Sequence, residues 1–109
     1  MKIFIASNDG QVADRLGKCR EFIIYEIKDR KVMTREVVKN PAKDAEQVCT
    51  FIILNKCDIL IVGGLGQKSM RTLAMTKMRI GVGAKGEADN IIDNLLADEN
   101  FDLETEAYH

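Results

Sequence analysis

Apolar and polar residues alternate in two distinct rhythms along this chain, and the change of rhythm divides it into strands and helices. Residues 2–7 form a short apolar run that stops at Asn8-Asp9-Gly10, a strong turn sequence. Residues 21–28 are rich in β-formers (Phe22, Ile23, Ile24, Tyr25, Ile27), and residues 31–39 carry Val32, Met33, Val37 and Val38. Only Asp29-Arg30 separates these two runs, which predicts a hairpin, although Asp-Arg is a poor substitute for Asp-Gly in a primed turn. Asn40-Pro41, holding the only proline, ends the second run.

Helical spacing then takes over. Asp44 is placed as an N-cap, with Ala45, Val48, Cys49, Ile52 and Ile53 on one face behind it. Residues 58–62 are continuously apolar after Asp58, as a strand covered on both faces should be, and they run into Gly63-Gly64-Leu65-Gly66. A helix is predicted over residues 67–77 with Met70, Leu73 and Ala74 inward. A strand over 78–82 follows, closed by Gly83-Ala84-Lys85-Gly86. The last helix has the cleanest stripe, Ala88, Ile91, Ile92, Leu95 and Leu96, with Glu87 and Asp89 suiting the dipole of its first turn. The order β, β-β, α, β, α, β, α predicts a five-stranded mixed sheet with three helices on its faces. Strand 2–7 should lie between the hairpin and strand 58–62, with strand 78–82 at the parallel edge.

Composition narrows the function more than the fold. The chain has 109 residues, 46% hydrophobic and 30% charged, which suits one domain with its own core. A formal net charge of −1 argues against general attraction to nucleic acid or membrane surfaces. The charge is uneven, because residues 98–109 hold five acids and no lysine or arginine, leaving residues 1–97 at +4. We expect a domain over 1–97 and an acidic tail dispensable for folding, either solvated or acting as a flap over a basic surface. Met1-Lys2 leads straight into the strand-like residues 3–6, so no secretory leader is expected, and no apolar run nears the roughly 20 residues of a membrane helix. Three cysteines, an odd number with no CxxC, make no disulfide framework, so a reducing cytoplasm is the expected setting.

Candidate chemistry centres on Gly17-Lys18-Cys19-Arg20, a glycine-started loop between strand-like segments. The cations Lys18 and Arg20 are expected to favour the Cys19 thiolate, the form that binds soft metals or attacks. Gly64-Leu65-Gly66-Gln67-Lys68-Ser69 joins a strand to a helix, so it is read either as a tight turn or as an anion site of backbone N–H groups. It matches neither GxxxxGK[ST] nor GxGxxG. Lys68 and Arg71, with Lys77 and Arg79, form a solvated helix face or a docking surface for an anionic cargo. Asp9 and Asp58 do not amount to the clustered carboxylates of two-metal phosphoryl chemistry. Cys49 and Cys57 read as small core hydrophobes, and the single histidine is His109.

Several of these segments together resemble a known family. Residues 1–10 (MKIFIASNDG), Gly17-Lys18-Cys19-Arg20-Glu21-Phe22, Tyr25-Glu26-Ile27, Arg35-Glu36-Val37, Asn40-Pro41, residues 58–66 (DILIVGGLG) and 80–86 (IGVGAKG) run in the order of the dinitrogenase iron-molybdenum cofactor biosynthesis family, the NifX-like proteins. The resemblance covers residues 1 to about 97 and implies a ribonuclease H-like three-layer fold. It further implies a non-catalytic accessory or carrier protein for an iron–sulfur cluster or an iron-molybdenum cofactor precursor. A cofactor-assembly protein would be the implied partner. Cys19 matches the family's loop cysteine, the implied metal ligand, and Gly63, Gly64 and Gly66 match its glycine turn. Lys18, Arg20, Gly64 and Gly66 would then contact the cargo. Two departures stand out: Arg15-Leu16 where the family often has histidine, and Ala42-Lys43-Asp44-Ala45 where many members have a histidine-rich stretch. A cluster here would depend on Cys19 plus ligands from elsewhere. The alternative is a metal-free member acting as an interaction or regulatory module.

Overall fold

The computed structural model describes residues 1–99 and Phe101. Six strands and three helices follow one another as β1 (Lys2–Asn8), β2 (Gln11–Val12), β3 (Glu21–Lys28), β4 (Lys31–Lys39), α1 (Ala45–Leu54), β5 (Ile59–Ile61), α2 (Gln67–Ala74), β6 (Arg79–Gly81) and α3 (Ala88–Ala97). The sheet order is β4-β3-β1-β5-β6, antiparallel across β4, β3 and β1 and parallel across β1, β5 and β6. This is the expected arrangement with one correction, since the sheet has six strands rather than five. The sixth, β2, pairs back on the end of β1 through Ser7↔Val12 and Asn8↔Gln11. Two residues leave too little alternation for a sequence pattern to show, and tertiary pairing alone defines that strand.

The pleat of β1 sorts side chains into two cores. Ile3 and Ile5, with Ile23, Tyr25, Ile59 and Ile61, face α3 through Ala88 and Ile92. Phe4 and Ala6, with Phe22, Leu60 and Val62, face α1 through Val48, Cys49 and Ile52, and α2 through Leu73. The sheet therefore lies between α1 and α2 on one side and α3 on the other. The Asp44 side chain accepts from the Gln47 amide at 2.8 Å, so the predicted N-cap forms. The second helix is shorter than expected and stops at Ala74, whose side chain is exposed.

The Asp29-Arg30 hairpin shows why a weak turn sequence is tolerated. Both residues have positive φ, 52° and 60°, as a two-residue primed turn requires. Arg30 is held there by its guanidinium, which donates to the carbonyls of Leu96 (3.1 Å) and Phe101 (3.0 Å) and also to that of Asp98. A cation thus sits on the open carbonyls at the C-terminal end of α3, where helix dipole and orphan acceptors favour it. The domain's contacts therefore run past Ala97 to Phe101, while Asn100 and residues 102–109 of the acidic tail lie outside the described residues.

A second clasp joins the hairpin to α3. The buried Tyr25 donates from its hydroxyl to Asp89 Oδ1 at 2.6 Å, and Arg35 Nε donates to the same oxygen at 2.9 Å. The Tyr25 hydroxyl first, and the Arg35 guanidinium second, hold the Asp89 carboxyl below its ordinary value. A depressed folded pKa gives stability that is present above the unfolded value of about 3.9 and lost as pH falls through the folded one. The denaturation midpoint of Asp89→Asn should lie below wild type by a constant amount from neutral pH down to about 5. That gap should close in more acid solution.

Candidate functional site

Two loops meet at the C-terminal edge of the parallel strands. The chain leaves β2, crosses Asp14-Arg15, makes a 3-10 turn over Leu16–Lys18 and enters β3 through Cys19-Arg20. Leu16, 1% exposed, anchors this turn in the core, and its amide donates to the Gly64 carbonyl at 2.9 Å. One hydrogen bond thus fixes the cysteine loop to the glycine turn. From the other side, Arg20 donates its amide to Ser7 O (3.2 Å) and Asn8 Oδ1 (2.8 Å). Beneath it, Ser7 Oγ donates to Glu21 Oε2 at 2.8 Å and accepts from the Gly10 amide at 3.0 Å.

Cys19 is not the exposed, cation-activated thiol that its neighbours predict. It is 6% exposed and packs in the same core as Leu16, Phe22 and Cys49. Burial pushes its thiol up to about 11, against smaller lowering effects from its own backbone amide and from Asn40. Lys18 and Arg20 turn outward to solvent, and the Arg20 guanidinium lies 3.7 Å from Asp9 instead. Sequence adjacency places two cations beside the sulfur in the chain, but Cys19, extended at the end of the 3-10 turn, packs beside Leu16 and Phe22 while Lys18 and Arg20 face solvent. At neutral pH the group is a thiol.

Asn40, read in the sequence as a strand end and part of a family-like segment but not as a site residue, is the residue most involved with Cys19. Its Nδ2 donates to Cys19 O at 2.9 Å and lies 3.5 Å from Cys19 Sγ, while its Oδ1 accepts from the Ala42 amide at 3.0 Å. The signal was Asn before proline, where a short amide can bridge a turn to a neighbouring loop.

The glycine turn has a use different from an open cradle. A Cβ on Gly63 would stand 2.8 Å from Ala13 O and from Asp14 Cα, and one on Gly64 would stand 3.2 Å from Asp14 O. These glycines let the segment after β2 cross directly over the end of β5, and the Gly63 amide is already taken by Ala13 O at 2.9 Å. Among the described residues Gly66 has open space around it and N-caps α2 without a side-chain partner, so any anion at this edge addresses that helix end. A cleft of ≈ 270 Å³ lies between α1 and α2, lined by Asp44, Ala45, Cys49, Lys68, Ser69 and Thr72. Gly17 stands beside its Ala45 wall.

The other candidates separate. Cys57 is buried and donates to Ile59 O at 3.1 Å, and Asp58 Oδ2 accepts from the Lys2 amide at 2.8 Å, both structural roles. Lys68, Arg71 and Lys77 are exposed, whereas Arg79 does not belong to their face: it opens β6 and is half-buried. Among the described residues no three histidine, cysteine or acidic side chains are gathered to hold a metal ion. No helix among them is long and apolar enough to cross a membrane.

The model of one family, described as dinitrogenase iron-molybdenum cofactor, matches residues 1–98. The chain belongs to that family. Solved structures agree on the fold. PH0822 superposes with a TM-score of 0.83 at 20% identity over 93% of this chain and 97% of its own. A proposed dinitrogenase from Methanocaldococcus jannaschii gives 0.72 at 21% identity, covering 88% of each chain. The apo orange protein of Desulfovibrio gigas gives 0.73 at 18%, over 87% of this chain and 86% of that one. A search of curated proteins finds no match to the sequence. Family membership ties the domain to iron-molybdenum cofactor biosynthesis, and the neighbours share its mixed α/β fold with three helices.

Proposed function

We propose that this protein is a non-catalytic carrier that holds an iron–sulfur cluster or an iron-molybdenum cofactor precursor where the Cys19 loop meets the Gly64–Gly66 turn. Family membership over residues 1–98 associates the domain with iron-molybdenum cofactor biosynthesis, which supports a cargo of this class. The observation that carries the placement is the Leu16–Gly64 hydrogen bond, which brings the loop cysteine and a helix end without a side-chain cap to one edge. Cys19 serves as the metal ligand. Lys18 and Arg20, both exposed, and the α2 end at Gly66 supply positive potential to an anionic cluster. The sheet order is consistent with a ribonuclease H-like three-layer fold, and the cytoplasm with three free cysteines.

The buried thiol sets conditions on this chemistry. The metal must displace a proton held to about pH 11, so loading releases a proton and strengthens as pH rises. Cys19 must also emerge from beneath the Asn40 bridge. One thiolate leaves most positions of a cluster open, and the cargo's own sulfides, a second chain or a cofactor-assembly protein completes them. A second reading, a metal-free interaction module, is favoured by that same burial. Anaerobic incubation with iron and sulfide separates the two: the carrier develops visible charge-transfer absorption and retains stoichiometric iron after desalting, whereas the interaction module stays colourless.

A further inference from the structure

On the opposite face of the sheet from Cys19, a groove of ≈ 520 Å³ opens between the β5–β6 edge and α3. Its lining is apolar, from Ile59, Ile61, Ala84, Leu95 and Phe101, with one charged member among the described residues, Arg79. It exists because α3 is the only helix on this face among the described residues and it packs over β1, β3 and β5, while Gly81 on β6 has no side chain to fill the remaining space. Nε and Nη2 of Arg79 are buried and have no hydrogen-bond partner among the described residues. The Phe101 ring lies over the guanidinium, 4.9 Å from ring centroid to Cζ.

The identity of the two orphan nitrogens is the informative point. Nε and Nη2 are the side-on pair of a guanidinium, two parallel N–H donors spaced to match the two oxygens of one carboxylate. Leaving both unmade in a buried position is costly, and nothing in the fold's own clasps requires it. Walls of isoleucine, leucine and phenylalanine select an apolar body, and the volume is that of a small-molecule site. We propose that this groove is a second binding site, for a small aryl or alkyl carboxylate. The carboxylate is held side-on by Arg79 and its hydrocarbon body lies against Ile59, Ile61 and Leu95. The Phe101 ring turns off the guanidinium to admit the carboxylate and closes on the bound hydrocarbon. The site is independent of the Cys19 edge and of any metal cargo.

The test is a titration of the full chain with 2-naphthoate, read by the methyl resonances of Ile59, Ile61 and Leu95 and by the Arg79 Nε–H resonance. Saturable shifts in all four, with the Nε–H moving downfield, are expected. The neutral isostere 2-naphthalenemethanol should bind about tenfold or more weakly, the usual loss when a charge-assisted pair is removed. Arg79→Lys, which keeps the charge but not the fork, should lose affinity similarly. If that variant fails to fold, the isostere comparison on the wild-type chain decides alone. Absence of saturable shifts, or equal binding of acid and alcohol, overturns the proposal. So does a result in which naphthoate binds only after Asp102, Glu104 and Glu106 are changed to amides, because the chain's own carboxylates would then be the occupant.

Discussion

Phe4→Ala should lower the domain's stability by about 3–5 kcal/mol, close to the whole margin of a small domain. Phe4 is fully buried at the centre of β1, and its ring centroid stands 6.1 Å from that of Phe22 and 6.5 Å from that of Phe51. Phe22 and Phe51 themselves approach to 5.4 Å. These three rings join β1, β3 and α1, and tilted pairs of this kind add to the burial of their area. Removing the central ring opens a cavity that two strands and a helix would have to collapse into, so relaxation recovers little. Urea or guanidinium denaturation measures the loss. Phe4→Leu, which refills most of the volume, should cost a fraction as much.

Gly63→Ala should be nearly as damaging, at about 2–3 kcal/mol, although it adds one methyl group. The new Cβ would meet backbone atoms of Ala13 and Asp14 at 2.8 Å, and backbone cannot swing aside as a side chain can. The crossing over β5 would have to lift, breaking the Gly63 N–Ala13 O bond and straining the neighbouring Leu16 N–Gly64 O bond that positions the Cys19 loop. Gly66→Ala is the control, since nothing among the described residues lies within 4 Å of that Cβ. It should cost no more than about 1 kcal/mol, the difference between glycine and alanine at an N-cap. Equal losses at the two positions would mean that the close crossing at Gly63 is not what the glycine is for.

Much of this fold was legible because its signals are local. Both hairpin strands, the Asp44 cap and the α3 stripe come from period, turn chemistry and capping, and the structure reproduces them. Strand β2 was not legible, because two residues carry no period and only pairing with β1 defines them. The site was harder for a related reason. Cys19, Lys18 and Arg20 were identified as a group from adjacency, but the loop backbone ahead of β3 turns the sulfur into the core and both cations to solvent. Asn40 was missed because it lies 21 residues away and reaches Cys19 only through the β3–β4 hairpin. Arg79 was assigned to the exposed basic face because it follows α2 closely. The parallel pairing of β6 with β5 instead turns it toward α3.

The central claim is that Cys19, and no other thiol, carries the metal cargo. Cys19 and Cys49 are buried in the same core, at 6% and 2% exposure, so alanine at either should cost a similar amount of packing, about 1 kcal/mol. That similarity makes them matched variants. Iron retained per chain after anaerobic reconstitution with iron and sulfide should be the same in wild type and Cys49→Ala. In Cys19→Ala it should fall by about tenfold or more, with the melting curves of the two variants alike. Full iron retention by Cys19→Ala would contradict the account.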